Sequence, residues 1–147
     1  MEIWIRNLQK HTPLDLRRIR RSAQRILAYL ALPDAELSIL LVDDAQIQDL
    51  NQRYLHRNKP TNVLAFSMKE GEFSTLHPQL LGDLVISVET AWRQSYRFRL
   101  NKMEMITLLL VHGILHLVGY EHEQTIKGAH EMTIKQDELF RYVVHRS

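Results

Sequence analysis

Hydrophobic and polar residues alternate in four short stretches of the chain, and this pattern predicts four β-strands. The alternation is clearest over residues 36–42, where Leu37, Ile39 and Leu41 share one face. Successive side chains of a strand point to opposite faces of the sheet, so these three would meet the core together. The other predicted strands are residues 2–6, 62–68 and 84–88.

Apolar residues recur at helical spacing in longer stretches, which predicts five helices. In the first helix, residues 14–31, they lie within an arc of about 100°, opposite an arginine-rich face. The arginines of that face are Arg17, Arg18, Arg21 and Arg25. Residues 103–118 are apolar nearly all round, which indicates a helix buried at the centre of the domain. The remaining predicted helices are residues 45–54, 90–99 and 124–144.

The order of these elements indicates the fold class. Strands and helices are mixed but do not alternate as regular βαβ units, and residues 69–80 resemble a loose connection. No repeat, low-complexity tract or linker divides the 147 residues, a length typical of one domain. We therefore predict a single α+β domain spanning residues 1–147, with about four strands in one sheet and about five helices packed on it.

Composition narrows the chemistry and the setting. The chain has no cysteine, which excludes a disulfide framework, thiol catalysis and a cysteine-based zinc site. A formal net charge of +2 is compatible with a polyanionic partner without requiring one. The amino-terminal residues lack the pattern of a signal peptide, and the longest apolar run, residues 106–119, is too short to span a membrane. We expect a cytoplasmic protein without membrane association.

Three of the eight histidines lie within residues 112–122, inside the most apolar part of the chain. His112 and His116 are spaced i, i+4, so their Cβ atoms would lie about 5–6 Å apart on one helix face. Gly119 can adopt a positive φ and end the helix, which would let His122 return toward the other two. Three imidazoles with an open fourth position are typical of a catalytic zinc site.

The alternative is that these are core histidines with ordinary hydrogen bonds. Burying three so close together is costly unless they are satisfied, and metal ligation would satisfy them. We therefore predict zinc or a similar divalent ion. The spacing matches the zinc-peptidase pattern H-E-x-x-H-x-x-G-x-x-H, except that Gly113 replaces the general-base glutamate. This departure argues against peptide hydrolysis, and Glu121 could act on a proton only from a different direction.

Three blocks of the sequence resemble the YbeY family of bacterial endoribonucleases. Residues 112–122, HGILHLVGYEH, are similar to the family signature H-G-x-L-H-L-x-G-Y-D-H. Residues 50–54 and 60–66 are similar to L-N-x-x-Y-R and P-T-[DN]-V-L-S-F at the same separation. Residues 82–87 are similar to G-D-I-V-I-S. The resemblance extends from about residue 36 to residue 130.

The resemblance implies a cytoplasmic, zinc-dependent endoribonuclease acting on single-stranded RNA, with a mixed four-stranded sheet. Its expected role is the maturation of ribosomal RNA, notably the 3′ end of the small-subunit RNA, and ribosome quality control. The expected partners are therefore ribosomal RNA and the small ribosomal subunit. The metal ligands carried over are His112, His116 and His122. Three positions depart from the family blocks: Leu55 replaces arginine, Ala65 replaces serine and Glu121 replaces aspartate.

A basic loop precedes the third strand and offers charge for a phosphodiester substrate. Arg53, Arg57 and Lys59 lie close together there, although such a loop can also be merely solvated. We predict that Arg57 stabilises the charge of the phosphate and that Glu121 handles a proton. The arginine face of the first helix, and a second basic stretch over residues 93–102, would either bind RNA phosphates or the ribosome surface, or be solvated.

Two other functions fit the same residues. The first is a non-catalytic ribosome-assembly factor with a structural metal, which Leu55 favours. The second is a zinc hydrolase acting on another ester or amide.

Asp43 and Asp44 resemble a helix cap, not a catalytic acid pair. The remaining histidines have no partner spacing and are most simply surface residues; they are His11, His56, His77, His130 and His145.

Overall fold

Four strands and five helices make up residues 1–68, 79–120 and 125–146, the part of the chain that the computed structural model describes. The strands are β1 (Glu2–Asn7), β2 (Glu36–Val42), β3 (Val63–Ser67) and β4 (Leu80–Ser87). The helices are α1 (Leu16–Tyr29), α2 (Asp44–Leu55), α3 (Val88–Phe98), α4 (Lys102–Leu117) and α5 (Ile126–Arg146). Most of the loose connection predicted over residues 69–80 lies outside the described residues.

The four strands form one mixed sheet in the order β1-β2-β4-β3. The first three strands of that order are parallel, and β3 pairs antiparallel with β4 at the edge. Ile39, at the centre of β2, lies between Ile5 of β1 and Leu84 of β4. Together with the five helices packed on this sheet, the arrangement confirms the predicted α+β class.

Helix α1 covers the sheet as its periodicity predicts. Its amino terminus is capped by Asp15, whose carboxylate accepts the backbone N–H of Arg18 at 3.2 Å. The buried face carries the apolar side chains Ile19, Ala23, Ile26 and Leu27. Of the arginine face, Arg17, Arg18 and Arg21 are exposed and Arg25 is half-buried. None of the five described helices is long and apolar enough to cross a membrane.

Helix α4 runs through the centre of the core, and it packs against α1, α3, α5, β3 and β4. Asn101 and Glu104 form a capping box at its amino terminus, which fixes where the helix begins. At Gly113 the helix approaches the sheet so closely that a Cβ atom would lie 2.6 Å from Cδ2 of Leu84. The peptidase glutamate is therefore absent from this position for a packing reason.

The fourth strand and the third helix differ from their predicted bounds. The sequence predicts the strand at residues 84–88, whereas β4 spans Leu80–Ser87. It predicts the helix from residue 90, whereas α3 begins directly after β4, at Val88. The reason is a helix cap, because the Ser87 hydroxyl accepts the backbone N–H of Thr90 at 3.3 Å. An apolar run does not reveal this boundary, since Val88 is buried on either assignment.

Candidate metal centre

Two of the three predicted ligands meet on one face of α4. The Nε2 atoms of His112 and His116 lie 3.1 Å apart, and the ring centroids are separated by 4.6 Å. Two nitrogens bound to one tetrahedral zinc at about 2.0–2.1 Å would lie about 3.4 Å apart. The 3.1 Å contact is that of a hydrogen bond between the two rings, and it is also within a few tenths of an ångström of the separation that a shared ion requires.

Gln136 of α5 orients the first of these histidines. Its Oε1 atom lies 2.7 Å from Nδ1 of His112 and can accept the Nδ1 proton. With the proton on Nδ1, Nε2 of His112 keeps its lone pair on the side of His116. A hydrogen bond of this kind on the far ring nitrogen is a common feature of metal-binding histidines. No feature of the sequence singled out Gln136, because it lies on another helix, far along the chain.

The chain turns sharply after His116, as the glycine predicted. Gly119 has φ 105°, its N–H donates to the carbonyl of His116, and the N–H of Tyr120 donates to the carbonyl of Leu115. These two bonds form a Schellman motif, which ends the helix and reverses the chain. Glu121 and His122, predicted as a proton-handling residue and the third ligand, lie outside the described residues.

The histidine pair lines a cavity of about 660 Å³. Helix α4 forms one wall, strand β3 forms another, and the loop after α2 supplies the positive charge. Arg57 lines this cavity together with Lys59, as the sequence predicts for a phosphate-binding loop. Leu55 and Ala65, two of the three departures from the family blocks, line it as well.

The cationic loop is held by α2. The helix ends at His56 in the left-handed conformation, and the N–H of Arg57 donates to the carbonyl of Asn51 at 3.2 Å. The amide of Asn51, which is buried, donates through Nδ2 to the carbonyl of Lys59 at 3.0 Å. Arg53 instead pairs with Asp49 at 2.6 Å and does not line the cavity. Of the two arginines near Leu55, which replaces the family arginine, Arg57 lines the cavity and Arg53 does not.

A second group of potential metal ligands lies at the other end of α2. The ligand atoms of His11, Asp43 and Glu89 are all within 4.8 Å of one another, so these residues could hold a metal ion. Nε2 of His11 is 3.5 Å from Oδ2 of Asp43. The sequence treats His11 as isolated, because its two neighbours follow different strands. Both carboxylates also serve the fold, since Asp43 caps α2 and Glu89 accepts the N–H of Asp44.

Asp44 is tied into the junction of α2 and α3. Its carboxylate accepts the hydroxyls of Ser87 and Thr90 at 2.7 and 2.6 Å, and Nη2 of Arg93 at 2.7 Å. Burial by itself would raise the pKa of this carboxyl. The hydrogen bonds from Thr90, Ser87 and Arg93 outweigh that effect and lower the pKa below 3.8. The sequence predicts a helix cap at Asp43 or Asp44; the structure places the cap at Asp43, and the role of Asp44 in this junction was not predicted.

The chain is similar to characterised proteins along nearly all of its length. Residues 4–143 match the family model described as Endoribonuclease YbeY. The chain is 47% identical over 146 residues to the Endoribonuclease YbeY of Syntrophus aciditrophicus, covering 99% of this chain and 91% of that protein. It is 48% identical over 139 residues to the Endoribonuclease YbeY of Syntrophotalea carbinolica, covering 94% and 93%.

The fold is also similar to a solved structure. The solution structure of a Thermotoga maritima protein superposes with a TM-score of 0.68 at 22% sequence identity. That match covers 98% of this chain and 90% of the other. At this identity the likeness concerns the fold, and it shows the same arrangement of helices on a sheet.

Proposed function

The chain belongs to the endoribonuclease YbeY family, and on that premise we propose that its endoribonuclease activity depends on zinc bound by His112, His116 and His122. The activity itself, hydrolysis of RNA, follows from membership of the family. The single observation that best supports the metal is the 3.1 Å separation of the Nε2 atoms of His112 and His116. We also propose that the metal is zinc, that His122 is its third ligand, and that the residues discussed below have the roles given there.

The chemistry of the donor set fits zinc. Imidazole nitrogens suit this ion, and the chain has no cysteine that would favour a softer or closed structural site. Gln136 holds His112 with its Nε2 lone pair available for a metal. Three protein ligands leave a position open for water or substrate, which is the arrangement of catalytic zinc sites.

We assign the steps of phosphodiester hydrolysis to the metal and to individual residues of the proposed site. When bound, zinc supplies Lewis-acid polarisation of a phosphoryl oxygen and activation of a water. Arg57, with Lys59 beside it, binds the phosphate and stabilises the negative charge that grows on its oxygens. Glu121, next to the third ligand in sequence, accepts or returns a proton. Gly113 carries no side chain, so no glutamate acts from that face of α4.

We infer that the substrate is single-stranded ribosomal RNA. The resemblance of the three sequence blocks supports a role at the 3′ end of the small-subunit RNA and in ribosome quality control, in the cytoplasm. A precursor RNA carrying that 3′ end and a scrambled RNA of the same composition would separate this role from general RNA degradation. Faster cleavage at one site in the precursor is expected, and equal cleavage of both RNAs would overturn the substrate assignment.

Metal content tests the ligand set without relying on activity. The purified protein should hold about one zinc per chain by elemental analysis. His112→Ala, His116→Ala and His122→Ala should each lose most of it. His130→Ala is the matched control, because His130 is an exposed histidine outside the cavity. Equal zinc content in all four variants would overturn the ligand assignment.

A further inference from the structure

A cleft lined by three arginines lies between α1 and the amino-terminal half of α4. It has a volume of about 190 Å³, and Arg18, Arg21 and Arg25 line it from α1. Asn101, Glu104 and Thr107 line it from α4. We call this feature the arginine cleft. It is a different surface from the metal cavity, with which it shares no lining residue.

Most of the positive charge in the arginine cleft is not neutralised by a partner among the described residues. Within the described residues, none of its three guanidinium groups has an ion-pair partner. Glu104 is the one carboxylate in the lining, and its Oε1 atom already accepts the N–H of Asn101 at 2.9 Å. The three arginines therefore leave an excess of positive charge in a confined space, which is suited to an anion.

One guanidinium nitrogen of the arginine cleft, on Arg25, has no partner within the described part of the protein. This atom, Nη1, is buried and has no hydrogen-bond partner in the described structure. A buried donor without an acceptor costs free energy, so such groups are rare in native proteins. The exposed guanidinium groups of Arg18 and Arg21 are the ones that a phosphate in the arginine cleft can reach, and such groups match phosphate geometry with two parallel N–H donors.

An exposed aromatic ring lies beside the arginine cleft. Arg18 also lines a shallow depression of about 480 Å³, together with Tyr96 and Lys102. Tyr96 is 80% exposed, so its ring is accessible to a ligand. Aromatic rings next to a cationic groove are the usual platform on which single-stranded bases stack. This neighbour favours a nucleic acid over an acidic protein surface.

We propose that the arginine cleft binds a backbone phosphate of single-stranded RNA while Tyr96 stacks on an adjacent base. Met103, at the arginine cleft, and His112, at the metal centre, are separated by about 14 Å along the α4 axis. The RNA would therefore be held at a point distant from the one where it is cut. This assignment concerns binding alone, so it stands or falls separately from the zinc proposal.

Binding of a labelled single-stranded RNA, followed by fluorescence anisotropy over a range of KCl concentrations, tests the arginines. Arg18→Ala combined with Arg21→Ala removes two exposed side chains, and it should weaken binding by about tenfold at ~0.1 M salt. The slope of log affinity against log salt should fall in magnitude by about 0.7, the value expected for the loss of one phosphate contact with a single strand. Arg17→Ala is the matched control, since exposed Arg17 lies on the same helix outside the arginine cleft.

The same measurement tests the aromatic platform. Tyr96→Ala should weaken single-strand binding by about tenfold and leave the salt slope unchanged, because stacking involves no counterion release. Phe98→Ala is the control, an exposed aromatic in the same segment that lines neither depression. The proposal is overturned if the double arginine variant binds like Arg17→Ala, or if Tyr96→Ala binds like Phe98→Ala.

Discussion

The Nε2 atom of His112 lies 3.1 Å from the Nε2 atom of His116, at the wall of a cavity that also contains Arg57. The i, i+4 spacing on α4 brings the rings together, and Gln136 fixes the orientation of one of them. The two imidazoles proposed to bind the metal and the guanidinium proposed to bind phosphate therefore line the same cavity. This arrangement is the structural basis for the proposed site of RNA cleavage.

Removing the hydrogen bond to His112 should weaken metal binding. We expect Gln136→Ala to lower zinc affinity by about 10- to 100-fold, because the imidazole loses its fixed orientation. Gln136→Glu keeps an acceptor at that position and should retain most of the affinity. Competition with a chromogenic chelator measures both variants. If Gln136→Ala binds zinc as tightly as the unaltered protein, the orienting role of Gln136 is refuted.

Gly113 should tolerate no side chain. Gly113→Ala places a Cβ atom 2.6 Å from Cδ2 of Leu84, and we expect it to lower the free energy of unfolding by about 1–3 kcal/mol. Leu84→Val in the same chain should recover part of that loss by withdrawing the clashing methyl group. Urea denaturation gives both values. An unchanged midpoint for Gly113→Ala would show that the Leu84 side chain moves aside without cost, and would contradict this prediction.

Asp44 should make stability depend on pH. Its lowered pKa means that the ionised carboxylate is stabilised by folding. Its contribution is therefore fully present above about pH 4 and is lost as the pH falls through the folded pKa. We expect Asp44→Asn to cost about 1–3 kcal/mol at neutral pH, and the difference from the unaltered protein to shrink below pH 3.8.

Urea midpoints of the two proteins, measured between neutral pH and about pH 3, test that expectation. Asp49→Asn is a suitable control, since Asp49 is an exposed carboxylate of the same helix that pairs only with Arg53 in the described structure. A stability difference for Asp44→Asn that stays constant over this range would contradict the assignment.

Arg57 should matter for catalysis more than Arg53, the arginine in the last turn of α2. We expect Arg57→Ala to lower kcat/KM for RNA on the order of 100-fold, since it removes charge from the phosphate position. Arg53→Ala should have little effect, because Arg53 pairs with Asp49 away from the cavity. Steady-state cleavage of a fluorogenic RNA compares the two. Equal losses would refute the distinction between them.

Periodicity and spacing identified most of the fold and part of the site. The bounds of β2 follow directly from the alternation over residues 36–42, and the helix carrying His112 and His116 follows from its apolar composition. These features are local, so a short stretch of sequence contains them. The glycine that ends α4 was predictable for the same reason, because only a few residues accept a positive φ.

The features that sequence reasoning missed depend on tertiary contacts. Gln136 meets His112 only because α5 packs beside α4, and His11 meets Asp43 only because β1 and β2 are parallel neighbours. Ser87, which caps α3, lies within an apolar run, so the sequence does not reveal it as a cap. Asn51 was visible as part of a family block, but its bond to the carbonyl of Lys59 was not. Nothing in the local pattern specifies these partners.

Cleavage of an unstructured RNA by the purified protein, beside identically prepared His116→Ala and His130→Ala, is the most direct test of the central claim. The identical preparation controls for contaminating nucleases, and circular dichroism confirms that each variant is folded. The account predicts that the unaltered protein and His130→Ala cut the RNA and that folded His116→Ala does not. Equal cleavage by all three proteins, or cleavage by none, would contradict it.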